Sequence, residues 1–171
     1  MEKKPMSPVQ AGLVITVVMV IYSLVIYLTG LYTQQWPGYL SYLLLCVMII
    51  IAVINFANSK DGNVTFGKCF GWGFKVSAIV TLFYLVYLVI FIMIFPEFKE
   101  KIIEVTREGM VKQNMPDDQM ETALSMMDKG FYIFMFGATI FFFLLIGVIG
   151  SLLGAAFAKK KPVSPFDRQP A

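Results

Sequence analysis

Residues 66–75 read FGKCFGWGFK, and Lys68, Trp72 and Lys75 fall at i, i+4 and i+7 within that stretch. On a helix this spacing puts two ammonium groups and an indole on one face. Together they could grip a lipid phosphate or an acidic protein partner. The simpler reading, and the preferred one, is the entry to a membrane helix whose lysines reach back to headgroup level along their alkyl stems. The glycines between them do not make a nucleotide loop, because no strand precedes them and their spacing matches no phosphate-binding pattern.

Little else in the chain could do chemistry. There is no histidine, so the commonest general base is missing. Glu104 and Glu108 stand one helical turn apart, but Lys101 and Arg107 beside them point to ordinary surface pairing. No catalytic residue is assigned and no enzymatic activity is expected. Met110, Met115, Met120, Met126 and Met127 cluster in one segment. Thioethers favour Cu(I), yet no tight methionine repeat recurs and neither His nor Cys assists. They read as flexible apolar filler, so no metal and no cofactor is expected. Nor is a nucleic-acid partner.

The elements that must carry these residues follow from composition. The chain has 171 residues, 58% hydrophobic and 15% charged, against about 25% charged in a soluble domain. Charge is absent from three long stretches: Ala11 to Phe56, Val76 to Pro96 and Gly130 to Ala158. A bilayer core of roughly 30 Å takes about 20 apolar residues as helix. The first stretch is long enough for two spans, and TQQWPG at 33–38 divides it. Four spans are therefore expected, at about 11–32, 39–57, 75–95 and 131–157. The first apolar run is too long for the core of a cleavable signal and is read as a retained span.

Lysine and arginine favour the cytoplasmic side. Nine basic residues (Lys3, Lys4, Lys60, Lys68, Lys75, Lys159, Lys160, Lys161 and Arg168) fall on one side against three acids; segment 96–129 on the other holds five basic and eight acidic residues. Both termini are expected in the cytoplasm, with residues 64–75 as an interfacial lead-in to span three and 159–171 as a cytoplasmic tail. Tyr32, Trp36, Tyr39 and Tyr132 would mark the outer interface and Trp72 the inner one. Asn63 or Thr65 would cap the lead-in helix. Cys46 and Cys69 lie where a structural disulfide is not expected.

Segment 96–129 reads as two amphipathic helices, each opened by a proline, with Lys129-Gly130 ending the second. Their apolar faces would be Phe98, Ile102, Val105 and Gly109, then Met120, Ala123, Leu124 and Met127. Within the spans, small residues recur at helical spacing: Gly67 and Gly71 ahead of span three; Gly147, Gly150, Ser151 and Gly154 in span four. Such stripes let membrane helices approach closely. A sharper alternative has Asn55, Ser77 and Tyr84 lining a small polar cavity. No charge lies inside a span, which argues against an ion-coupled pump. The expected fold is all-α, an integral membrane four-helix bundle with a two-helix amphipathic extracytoplasmic insert between spans three and four.

The order of four spans, TFGKCFGWGFKVSAIV entering the third, FPEF leaving it, and GAAFAKKKP closing the fourth resembles an uncharacterised family of small four-span membrane proteins of Gram-negative bacteria, a domain of unknown function. The resemblance implies the bacterial inner membrane, with 96–129 in the periplasm, and brings no catalytic residues. The expected role is a non-enzymatic accessory or scaffold subunit whose partners are membrane lipids, another membrane protein or a second copy of itself. The alternative is a small carrier or flippase-like protein for a lipid-linked substrate, which would need a polar cavity reaching the cytoplasmic lysines.

Overall fold

The computed structural model describes residues 6–34, 36–60 and 62–158. Lys3, Lys4, Asp61 and the expected cytoplasmic tail at 159–171 lie outside the described residues. Five α-helices follow in order: α1 (Pro8–Leu28), α2 (Trp36–Ser59), α3 (Phe66–Ile94), α4 (Phe98–Lys112) and α5 (Asp117–Phe157), with a short 3₁₀ turn at Leu31–Thr33. All but α4 are long and apolar enough to cross a membrane, which makes the chain an all-helical, multi-pass membrane protein.

Local chemistry sets most of the helix ends. Ser7 caps α1 through a reciprocal pair: the Gln10 amide donates to Ser7 Oγ at 3.2 Å, and the Ser7 amide to Gln10 Oε1 at 3.0 Å. Pro8 takes the first helical position, where a missing N–H costs nothing. Gly30, in the left-handed region at φ 72°, turns the chain after α1. Thr65, rather than Asn63, caps α3 by accepting from the Lys68 amide at 3.4 Å. Pro96 separates α3 from α4, since proline disfavours helix in the residue before it. Asn114, also left-handed at φ 53°, closes α4 while the Met115 amide reaches back to the Met110 carbonyl at 3.2 Å.

Several expected helix ends move. The helix expected to stop at Lys129-Gly130 continues through both residues into the last span, so α5 has 41 residues and measures about 61 Å at 1.5 Å per residue. A glycine inside a helix costs only about 1 kcal/mol, and here the Phe134 ring fills the space beside Gly130, 2.6 Å from where a Cβ would stand. Residues 66–75 are the first turns of α3, continuous with the span that follows. Pro96 and Pro116 precede their helices instead of opening them, with Glu97 and Pro116 as the N-caps.

The helices are not equally packed. α3 lies against α5 and α1, and α2 against α5, whereas the seam between α1 and α2 is thin. Met19, Leu45, Ile49, Val53, Cys69, Val76 and Val80 are fully buried between them. The outward faces are apolar along their length, with Val17, Ile21, Leu43, Val86, Phe141 and Leu145 among the exposed residues. A bilayer accommodates such a surface, because lipid tails are as apolar as the side chains they meet.

Candidate functional site

The glycine stripe of α5 works as its spacing suggests. A Cβ added at Gly154 would stand 2.8 Å from Val53 Cβ, and one at Gly150 3.1 Å from the Cys46 carbonyl. A Cβ at Gly147 would collide with Ser77 Cβ. Ser151 lies against Gly73 of α3: a Cβ there would be 2.7 Å from Ser151 Oγ. Gly67 and Gly71 differ from the expectation, because a Cβ at either would meet nothing within 4 Å. The close approach is made two residues further on, at Gly73, which is about 200° around the helix at 3.6 residues per turn. Serine and threonine hydroxyls inside the bundle bond back to their own helices: Thr16 to the Gly12 carbonyl at 2.8 Å, Ser77 to Gly73 at 3.0 Å and Thr81 to Ser77 at 2.9 Å. Ser151 is the exception among the described residues, its hydroxyl buried without a partner.

Lys68, Trp72 and Lys75 are not gathered into a pocket. Both lysines are exposed. Trp72 turns away from them and stacks on Phe56 of α2, centroids 4.6 Å apart and rings 7° from parallel. With Asn55, Asn58 and Ser59 it borders a groove of about 520 Å³ at this end of the α1–α2 seam, which neither lysine lines. Asn55, Ser77 and Tyr84 also share no cavity. Asn55 borders that groove, Ser77 is buried beneath Gly147, and Tyr84 belongs to the other end of the bundle.

At that other end, beneath α4, the helices part again. Two adjoining clefts of about 290 and 460 Å³ share Gly38, Ser41, Tyr84, Leu88 and Phe98 as a common wall. The first opens along the α1–α2 seam past Tyr22, Ser23, Tyr27 and Tyr87; the second runs under α4 past Ile102, Phe131 and Phe143. Aromatic rings hold the chamber open. Tyr84 packs on Phe143 at 4.8 Å between centroids and on Tyr87 at 5.4 Å, and Phe91 meets Phe98 edge-on at 5.2 Å. Hydroxyls tie the walls together: Tyr22 donates to the Pro37 carbonyl at 2.8 Å, and Ser23 and Tyr87 share a 2.6 Å bond between α1 and α3.

A polar strap joins α4 to the rest. Tyr27 donates to Glu97 Oε1 at 2.9 Å and accepts from Lys101 Nζ at 3.1 Å, while Lys101 and Glu97 lie 3.5 Å apart. On the other flank Lys99 pairs with Asp128 of α5 at 2.8 Å. The Glu97 backbone amide and then the Tyr27 hydroxyl hold the Glu97 carboxyl below its ordinary range. The Tyr27 hydroxyl raises Lys101, and the Asp128 carboxylate raises Lys99. Lys101 is thus committed to Tyr27 and Glu97, not to Glu104 as the sequence suggested. Glu104 and Glu108 are exposed.

Sequence reasoning missed this chamber, although a signal was present. All eight tyrosines (22, 27, 32, 39, 42, 84, 87 and 132) occur in the halves of the spans nearest α4. Singly, each reads as an interface anchor; six of them (22, 27, 32, 42, 84 and 87) line the two clefts, while Tyr39 and Tyr132 stay exposed.

A four-span helical membrane bundle, drawn together by small residues between α5 and its neighbours and parted around tyrosines beneath α4, is the class that these features define. Within that class the chain belongs to the family described as "Protein of unknown function (DUF4199)", whose model matches residues 10–160. No curated protein and no solved structure matches the chain.

Proposed function

We propose that this protein is a non-enzymatic component of the bacterial inner membrane that holds an amphiphile in the chamber beneath α4. The observation that carries this reading is the tyrosine-lined chamber. Close contacts at Gly73, Gly147, Gly150 and Gly154 draw α5 onto α2 and α3, while beneath α4 one cleft lies along the thin α1–α2 seam. A ligand with an apolar tail could enter there from the bilayer. The groove at the opposite end shares no lining residue with these clefts, which favours holding over carrying across the membrane, and Lys68 and Lys75 border neither cleft.

The excess of lysine and arginine in the terminal segments and in the α2–α3 connection supports cytoplasmic termini. By the same rule α4 and the first turns of α5 form an amphipathic periplasmic insert. The residues expected on its apolar faces, among them Phe98, Ile102, Val105, Leu124 and Met127, are half-buried, while Glu100, Glu104, Arg107 and Glu108 are exposed. That exposed, acid-rich face favours a second reading, an accessory subunit that meets a protein partner through α4. A photoreactive residue at Ser41, which lines both clefts, tests the first reading against a control at the exposed Gly137. Capture of a lipid species from Ser41 but not from Gly137 is expected; equal capture at both would reduce the chamber to ordinary lipid-facing surface.

A further inference from the structure

The chamber's chemistry narrows what it can hold. Four of its hydroxyls are already engaged. Tyr22 donates to a carbonyl, Tyr27 to a carboxylate, and Ser23 and Tyr87 share a bond with each other. What these oxygens still offer is lone pairs. The walls also present the rings of Tyr27, Tyr32, Tyr84, Tyr87, Phe91 and Phe98. Aromatic faces carry a negative quadrupole and attract cations, ammonium groups above all. Lone pairs and ring faces together suit a positive ligand.

The chain already shows this chemistry once. The Lys101 ammonium stands 5.0 Å above the centre of the Tyr27 ring and donates to its hydroxyl. Two features oppose a second cation nearby, the Lys101 charge itself and the positive end of α2. Glu97 offsets the first at 3.5 Å. The second is weakened because Pro37, which lines the cleft at the first turn of α2, has no N–H. Among the described residues, no lysine or arginine lines the cleft.

We propose that the cleft beside Tyr84 and Tyr87 takes an ammonium group, primary or quaternary, against its ring faces, with any attached chains leaving along the α1–α2 seam. This rests on the amphiphile-holding reading and specifies its headgroup.

The test uses full-length protein in a neutral detergent, with native mass spectrometry reading bound lipid. The probes are short-chain phosphatidylethanolamine, phosphatidylcholine and phosphatidylglycerol, and tetramethylammonium chloride against sodium chloride at equal ionic strength. The two ammonium-headed lipids are expected to bind at least tenfold better than phosphatidylglycerol. Tyr87→Phe, which keeps the ring, should retain that preference, and Tyr87→Leu should erase it. Displacement of lipid by tetramethylammonium would assign the site to ammonium ions in general; retention against it would assign the site to lipid headgroups. Equal binding of phosphatidylglycerol would overturn the ammonium assignment while leaving the amphiphile reading standing. Failure of every lipid to bind would overturn both. The comparison among lipids is made on the unaltered chain, so it decides the matter even where a Tyr87 variant fails to fold.

Discussion

Gly147→Ala probes the contact between α3 and α5 through one methyl group. The added Cβ would lie well inside 3.0 Å of both Ser77 Cβ and Ser77 Oγ, whereas non-bonded carbons rest at about 3.5–4.0 Å. Relieving the overlap requires α3 and α5 to separate locally by about 1 Å, a gap that forfeits roughly a quarter to a half of each dispersion contact across it. Because α3–α5 is the most extensive helix pair, the cost should fall at the upper end of overpacking, about 3 kcal/mol. Alanine's better helix propensity returns about 1 kcal/mol, leaving a net loss of about 2 kcal/mol. Ser77→Ala keeps the offending Cβ and should rescue little. Ser77→Gly removes it and should couple favourably to Gly147→Ala in a double-mutant cycle, by about 2 kcal/mol. Reversible unfolding in mixed micelles, followed by circular dichroism, measures each term. Unchanged stability in Gly147→Ala, or rescue by Ser77→Ala as complete as by Ser77→Gly, would refute the close approach.

Other perturbations separate the remaining features. Ser151 buries an unpartnered hydroxyl, a state that costs about 1–3 kcal/mol, so Ser151→Ala should leave stability unchanged or raise it by about 1 kcal/mol in the same assay; a marked loss would mean the hydroxyl has a partner. Glu97 has a depressed carboxyl pKa, so its contribution is present above the unfolded carboxyl value, about 4.3, and is lost as pH falls through the lower folded value. A nitroxide at the exposed Val111 should therefore gain mobility in acid, and Glu97→Gln should abolish that pH dependence. A cysteine at Gln113 should react with an impermeant reagent in cells whose outer membrane has been removed; absence of labelling there would reverse the orientation.

The spans were legible because uncharged runs of this length have few alternatives to membrane helix. Their ends were less so. Gly130 reads as a stop only in isolation, and in the bundle a helical glycine under the Phe134 ring costs less than breaking α5. The α5 stripe of Gly147, Gly150 and Gly154 was readable from spacing, since small residues there have a single helix face to share. On α3 the same rule chose Gly67 and Gly71 over Gly73, because two stripes on opposite faces look alike until neighbours are known. The chamber depends on pairs far apart in sequence, such as Ser23 with Tyr87 and Tyr27 with Lys101. No periodicity within one helix encodes such meetings. Trp72 shows the same limit: its spacing from Lys68 and Lys75 was correct, but Phe56 of α2 decides which way the ring turns.

Native mass spectrometry of the full chain, extracted gently from its own membrane, is the most direct test of the amphiphile-holding chamber. The expected result is one ammonium-headed lipid retained per chain and lost in Ser41→Trp, which fills the wall common to both clefts. A chain that emerges empty, or that carries a stoichiometric second protein and no lipid, would contradict it.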